Sequence, residues 1–275
     1  STGGLTSAGN VTLDAANAGS TISAGNITGA QTGDVTVTAT SAVGQVALGT
    51  LTGDNVTLDV SGSTGAVTTL NSVSNAVNGT DEVTAKSSFT YTASSLHNNG
   101  FDIGASADST ALAVVLNATG SSTNETFRID GNAKQESITV TGDLKGGTNS
   151  VTVVLADNTG TDSADKQLVD LSGLLMTSTA GDGTAETTTS LTAETDSAIT
   201  VKTTSKDDVI AIAADNDKAI VITDTNTSTD ADIFDMTGTA AISLTKLTLS
   251  GIETITIDDT SNTISINASA VSGQT

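Results

Sequence analysis

The chain has 275 residues and contains no Cys, no Pro and no Trp, with one Tyr, four Phe and one His. Without thiols there are no ligands for a cysteine zinc site and no thiolate nucleophile. A single imidazole leaves one possible base for Ser-His-Asp chemistry. Aromatics at 2% remove the platforms on which sugar stacking, aromatic cages and most hot-spot interfaces depend. Positive charge is equally scarce, with nine Lys plus Arg against 31 Asp plus Glu and a formal charge of −22. Nucleic acid or an anionic membrane would need clustered Lys and Arg, so neither is an expected partner. No run of the chain approaches the roughly 18 apolar residues of a membrane-spanning helix. These absences together argue against an enzyme and against membrane insertion.

What remains is Thr, Ser and Gly set among small aliphatic side chains. Thr, Val and Ile are strand formers, whereas disordered chains are poor in β-branched residues and rich in Pro. An ordered, thin-cored, all-β protein is expected, and scarce aromatics suit an interior too narrow to hold them. A chain that opens on Ser1-Thr-Gly-Gly, without an initiating Met, is expected to be a fragment or processed piece of something longer.

Internal repeats carry the most information. Gly9-Asn-Val-Thr-Leu-Asp-Ala, Gly33-Asp-Val-Thr-Val-Thr-Ala and Asp54-Asn-Val-Thr-Leu-Asp-Val are near copies, with Val11, Val35 and Val56 spaced 24 and then 21. Near the other end Ile222, Ile233, Leu244, Ile255 and Ile266 are each 11 apart, and Ile220, Ala231, Ile242, Glu253 and Ile264 form a parallel row. Two rows offset by two residues are what a strand produces when i and i+2 share a face. Doubling the beat gives coils of roughly 22 residues, stacked so that equivalent positions lie above one another. Glu253, the exception in its row, is expected at an edge or open end. Absence of Pro agrees, because Pro would remove ladder donors between coils. The expected fold is therefore a β-solenoid (parallel β-helix).

Three regions follow from the pattern. Residues 1–80 are N-terminal solenoid repeats, 81–200 a less regular β domain, and 201–275 acidic solenoid coils. In the centre, Phe127 to Ile138 and Ile129 to Val140 keep the 11-residue spacing. A β-sandwich of antiparallel hairpins is the alternative there, and Thr177 to Thr195 reads as a Thr/Ser-rich loop or linker.

The one chemical constellation is acidic: Asp207, Asp208, Asp215, Asp217, Asp224, Asp230, Asp232, Asp235, Asp258 and Asp259. Hard carboxylate oxygens on Gly-, Asn- and Thr-rich turns suit Ca²⁺, which takes six to eight oxygens including backbone carbonyls. Asp224 and Asp235, 11 residues apart, are expected to approach through stacking and to share a cation. The bland alternative is a solvated face that keeps the protein soluble. His97 in Leu96-His-Asn-Asn-Gly reads as a turn decoration.

Ser250-Gly-Ile-Glu-Thr-Ile-Thr-Ile, Asp230-Ala-Asp-Ile-Phe-Asp-Met-Thr-Gly and the repeated Asn-Val-Thr-Leu-Asp units resemble surface-layer (S-layer) proteins of Gram-negative bacteria, the type I-secreted group related to repeats-in-toxin proteins. No Gly-Gly-x-Gly-x-Asp nonapeptide occurs here. The resemblance implies a secreted, self-assembling coat on the bacterial cell surface, with Ca²⁺ rigidifying or bridging subunits and attachment to lipopolysaccharide through a region outside this chain. Among the acidic residues, Asp207, Asp208, Asp224, Asp230, Asp232 and Asp235 are the candidate ligands. The alternative is a stalk segment of a bacterial adhesin or autotransporter passenger.

Overall fold

A computed structural model of the chain describes residues 3–15, 22–30, 32–40, 46–61, 67–70, 83–93, 100–118, 126–134, 137–145, 149–155, 166–177, 187–191, 198–204, 207–212, 219–224, 232–236, 243–244, 246–257 and 265–266. Every strand pair among them is parallel, and each strand pairs with the equivalent strand one coil earlier or later. The chain is a β-solenoid built of stacked rows.

Row A contains Val11–Asp14, Val35–Thr38, residues 56–59, residues 88–93, Ala111–Ala118, Ser137–Lys145, Lys166–Thr177, Ala198–Lys202, Ile220–Thr223 and Leu247–Ser250. Row B contains Leu5–Thr6, Ile27–Thr28, residues 51–53, residues 83–85, Gly100–Ala105, Thr126–Asp130, Ser150–Leu155, Thr187–Leu191, Asp208–Ile212, Ile233–Met236 and Thr254–Ile257. Two further short rows are separate from each other: Ile22–Ser23, Val46–Leu48 and Val67–Leu70 lie between a row A and a row B strand, whereas Ser243–Leu244 and Ser265–Ile266 follow a row B strand.

Alternation explains why these segments pack as they do. In Val35–Thr38 and Ala198–Lys202 the Val and Ile positions are buried and the Thr, Ala or Lys positions partly exposed, the pattern of a sheet with one face on a core. The interior is mostly Val, Ile, Leu and Ala, but Phe89, Tyr91, Phe127 and Phe234 are wholly buried in it. The interior is thus wide enough for aromatics where they occur, contrary to the expectation from their scarcity. Outward positions stack as well: Thr12, Thr36, Thr57 and Thr90 lie in register down row A.

Coil length is less uniform than the repeats suggest. Val83 to Ile103 is one coil of 20 residues and Val153 to Thr189 one of 36. The strands keep their register while the segments between them vary, as the slow growth of loop-closure entropy with length permits. The 11-residue beat also has a different meaning from the one expected. Ile222 pairs with Leu249 rather than stacking on Leu244, Leu244 pairs with Ile266, and Phe234 pairs with Ile255. Steps of 11 therefore move the chain from row A at Ile222 to row B at Ile233 and to the short C-terminal row at Leu244, and of the doubled steps only that from Leu244 to Ile266 joins paired positions. Phe127 and Ile138 likewise belong to rows B and A.

Two further expectations for the centre are corrected. Parallel ladders continue through it, so the described residues contain no sandwich of antiparallel hairpins. Thr187–Leu191, inside the segment expected to be a loop, is a row B strand paired with Ser150–Leu155 and Asp208–Ile212. Its low-complexity Thr-Thr-Thr-Ser-Leu sequence hides the β-branched character that suits a pleated ladder.

A bulge interrupts row A where Thr139 pairs with Asp170 and Thr141 with Gly173. Asp170 closes it, accepting from Ser172 N at 3.1 Å and Ser172 Oγ at 2.5 Å, while Lys202 of the next coil donates to its Oδ2 at 2.7 Å. Burial alone would raise the Asp170 pKa, but the Lys202 and Ser172 donors outweigh it and hold the carboxyl below its ordinary value. The carboxylate therefore adds stability above the ordinary Asp range, and this is lost as pH falls through the lowered folded-state pKa. Because Lys202 is 42% exposed, the effect is screened. Asp170→Asn is expected to cost about 0.5–1 kcal/mol at pH 7, and the difference from wild type should shrink in acid, below the ordinary Asp range. Urea titrations at both pH values check this, and an equal difference at both would refute it.

Candidate functional site

The acidic candidates do not meet as the 11-residue beat suggested. Asp224 follows the row A strand Ile220–Thr223, whereas Asp235 lies within the row B strand Ile233–Met236 in register with Ala211 and Thr256. Stacking therefore does not superpose them. Asp208, at the head of its row B strand, instead follows Thr187 in register and leads into Asp232 one coil on. Asp207 is partly exposed beside it. Asp215, Asp217, Asp230, Asp258 and Asp259, and His97, lie outside the described residues.

Three of these carboxylates are inside the protein. Asp208 is 1% exposed, Asp224 5% and Asp232 0%. Their positions follow from the register. Phe127 pairs with Val151, Val151 with Thr187 and Thr187 with Asp208, so Asp208 occupies a column that two and three coils earlier holds buried Val151 and Phe127. On the facing row, Asp170 pairs with Lys202, which places Thr203 after Lys202 as buried Leu171 follows Asp170. One corner of the interior thus changes from Phe, Val and Leu to Asp and Thr while staying buried.

Hydrogen bonds tie the corner together. Asp208 Oδ2 accepts from Thr204 N and Thr204 Oγ1, both at 2.8 Å. Asp208 N donates to Asp232 Oδ1 at 2.9 Å, and Asp232 N donates to Glu253 Oε2 at 2.9 Å. Each coil's acid in this way accepts the backbone N–H of the preceding coil's acid. Thr203 Oγ1 donates to Asp224 Oδ1 at 3.1 Å. Gly251 closes the far side at φ 82°, and a Cβ there would sit 2.6 Å from Asp224 Cβ. Burial pushes the Asp208 carboxyl well above its ordinary pKa, and the charges of Asp232 and, less strongly, Asp224 push it further. The Thr204 donors pull the other way.

The oxygens gathered here are hard donors of the kind calcium takes, and Asp208 Oδ1 is buried without a hydrogen-bond donor among the described residues. Carboxylates alone do not complete a site, since no three Asp, Glu or His of the described residues converge to hold a metal. Hydroxyl or carbonyl oxygens would have to take part. The residues that the spacing did not single out are Thr203, Thr204 and Gly251. A signal for the ladder exists: Asp208-Val-Ile-Ala-Ile, Asp232-Ile-Phe-Asp-Met and Glu253-Thr-Ile-Thr-Ile each place an acid directly before an alternating strand.

A second ladder at the other end of the molecule is built differently. Asn10, Asp34, Asn55 and Ser88 each precede a row A strand position in register. Asn10 Oδ1 accepts from Asp34 N at 3.0 Å, Asn55 Nδ2 donates to Asp34 Oδ1 at 2.8 Å, and Ser88 Oγ donates to Asn55 Oδ1 at 2.8 Å. Its single anion is separated by neutral amides, whereas the C-terminal ladder stacks acid on acid. Comparison of the chain with family models, with curated proteins and with solved structures finds no match.

Proposed function

We propose that the chain is a structural, self-assembling protein of a bacterial cell surface, forming a surface-layer lattice with copies of itself. The observation that supports this is the stacked architecture with its regular polar outer columns. Thr12, Thr36, Thr57 and Thr90 form one such column, and Asp14, Thr38, Asp59 and Thr92 another two positions along. A repeated flat face of short hydroxyl and carboxylate side chains offers many equivalent, weak, polar contacts to a second copy, as a lattice needs. Chains of charge −22 repel one another. In this reading divalent cations, calcium foremost, offset that repulsion between subunits. No catalytic role is part of the proposal, and attachment to lipopolysaccharide is assigned to a region outside this chain.

Negative-stain microscopy with millimolar calcium and with chelator tests it. Ordered sheets are expected in calcium and dispersed particles in chelator. Isolated rods indifferent to calcium would sink the lattice and favour an adhesin stalk.

A further inference from the structure

We propose that the strand edge at residues 173–177 of row A is a pairing site for the same edge of a second copy of this chain, joined antiparallel about Leu175. The choice of partner rests on the self-assembly reading above, and the place of contact goes beyond it.

Three observations carry this. The first is a step in row A. The strand Lys166–Thr177 pairs with the coil behind it from Leu168 to Thr177, but only residues 166–170 pair forward, with Ala198–Lys202. The following coil leaves the row just after Lys202, where Thr204 N donates to Asp208 at the head of a row B strand. Residues 171–177 thus present a ladder edge with no forward pairing among the described residues, and the N–H and C=O groups of such an edge are a template for another strand.

The second is a change of side chain at that rung. Asp14, Thr38, Asp59, Thr92, Asn117 and Asp143 stand in register down one outward column, and the next member is Leu175. Leu175 is 55% exposed, the one large hydrophobic so exposed among the described residues. A lone surface Leu is ordinary, but this one replaces a run of polar rungs where the edge opens. The third is charge. Residues 171–177, Leu-Ser-Gly-Leu-Leu-Met-Thr, carry none in a chain of −22. No Lys or Pro guards them, and the bulge lies at their start, between Asp170 and Gly173. Two acidic molecules meet here without a carboxylate on either pairing strand.

A two-fold axis normal to the sheet at Leu175 fits this edge. It sets residue 173 against 177, 174 against 176 and Leu175 against the second copy's Leu175, so one patch serves both molecules. Residues directly opposite in an antiparallel pair have Cβ atoms about 4.5–5.5 Å apart, close enough for each Leu to cover the other. The second copy's residues 166–172 then run outward past residue 177, away from the coils that follow the step. Such a pair is closed, so a lattice would need other faces as well.

The test uses the full chain in chelator, where sedimentation velocity over a range of concentrations is expected to show a monomer–dimer equilibrium. Leu175→Lys, which sets like charges opposite each other, should weaken the dimer roughly tenfold or more and leave the melting temperature of the dilute protein unchanged. Thr200→Lys, at a partly exposed outward position paired on both sides, alters net charge equally and should leave the dimer intact. Because the chain has no Cys, Leu175→Cys supplies a single thiol, and mild oxidation should join two chains several times faster than in Thr200→Cys. Undiminished dimers in Leu175→Lys, crosslinking of Leu175→Cys no faster than of Thr200→Cys, or monomers at every concentration would overturn the proposal. Slow amide hydrogen exchange at residues 173–177 in the monomer would also overturn it and assign the edge to another segment of the same chain. Calcium-dependent sheets from chains that are monomeric in chelator would keep the lattice and remove this contact, whereas dimers without sheets would keep the contact and remove the lattice.

Discussion

Replacing Gly142 by valine is expected to lower stability by on the order of 3–5 kcal/mol and to prevent folding in a marginal background. Gly142 lies at φ 125°, a conformation that residues with a Cβ rarely adopt. It is clamped between Leu116 of one coil and Leu174 of the next, in register with both. A Cβ at this position would strike the Leu116 carbonyl oxygen and lie 2.7 Å from its carbon and 2.8 Å from the Leu116 nitrogen. These are backbone atoms in a ladder and cannot swing aside, so backbone strain of about 1–3 kcal/mol adds to overpacking of about 1–3 kcal/mol. Gly3→Ala provides the contrast, because a Cβ at Gly3 meets nothing within 4 Å; it should be neutral or slightly stabilising. Urea denaturation followed by circular dichroism compares the two. A loss below about 1 kcal/mol for Gly142→Val would show that the two coils separate more easily than the register implies.

Phe127→Ala is expected to cost about 3–5 kcal/mol, the range for emptying a buried aromatic site. Phe127 is wholly buried, and its ring centroid lies 5.8 Å from that of Tyr91 at an interplanar angle of 58°, a tilted arrangement that favours aromatic pairs beyond their area. Val151, the next residue in the column, and Ile129, the next inward position on the same strand, are too short to fill the space of the lost ring. Two paired ladders fix the backbone on either side of Phe127, so collapse is restricted and a cavity should persist. Phe127→Leu, which keeps more of the volume, should recover at least half of the loss. A cost under about 1.5 kcal/mol for the alanine variant would mean that the interior relaxes more freely than its ladders suggest.

How far the sequence foretells this molecule depends on the scale considered. Alternation in segments such as Val35-Thr-Val-Thr reports directly which side chains face inward, because a strand has period two and one buried face. The copies at Val11, Val35 and Val56 stack as their spacing suggests, since the connections between them are short. The 11-residue beat of the last third misled on partners, because equal steps between unlike rows look the same in sequence as equal steps along one row. Thr187–Leu191 was concealed for a compositional reason, being polar in every position but the last. The acidic corner was half legible. Asp208, Asp224 and Asp232 stood out as acids, but their burial did not, since nothing local distinguishes an inward Asp from an outward one once the strand's phase is unknown. Thr203 and Thr204 are two Thr in a chain full of them, and only the third dimension separates them.

The all-parallel stacking has a consequence for how this protein fails. Each strand is bonded only to the coil before and the coil after, so stability is a chain of nearest-neighbour couplings strung along one continuous core. A broken rung near Gly142 would uncouple the segments on either side, and each could melt at its own temperature. Unfolding followed at two distant places, one near Val35 and one near Ile222, would then give transitions that no longer coincide, and the molecule would come apart like a zipper opened in the middle.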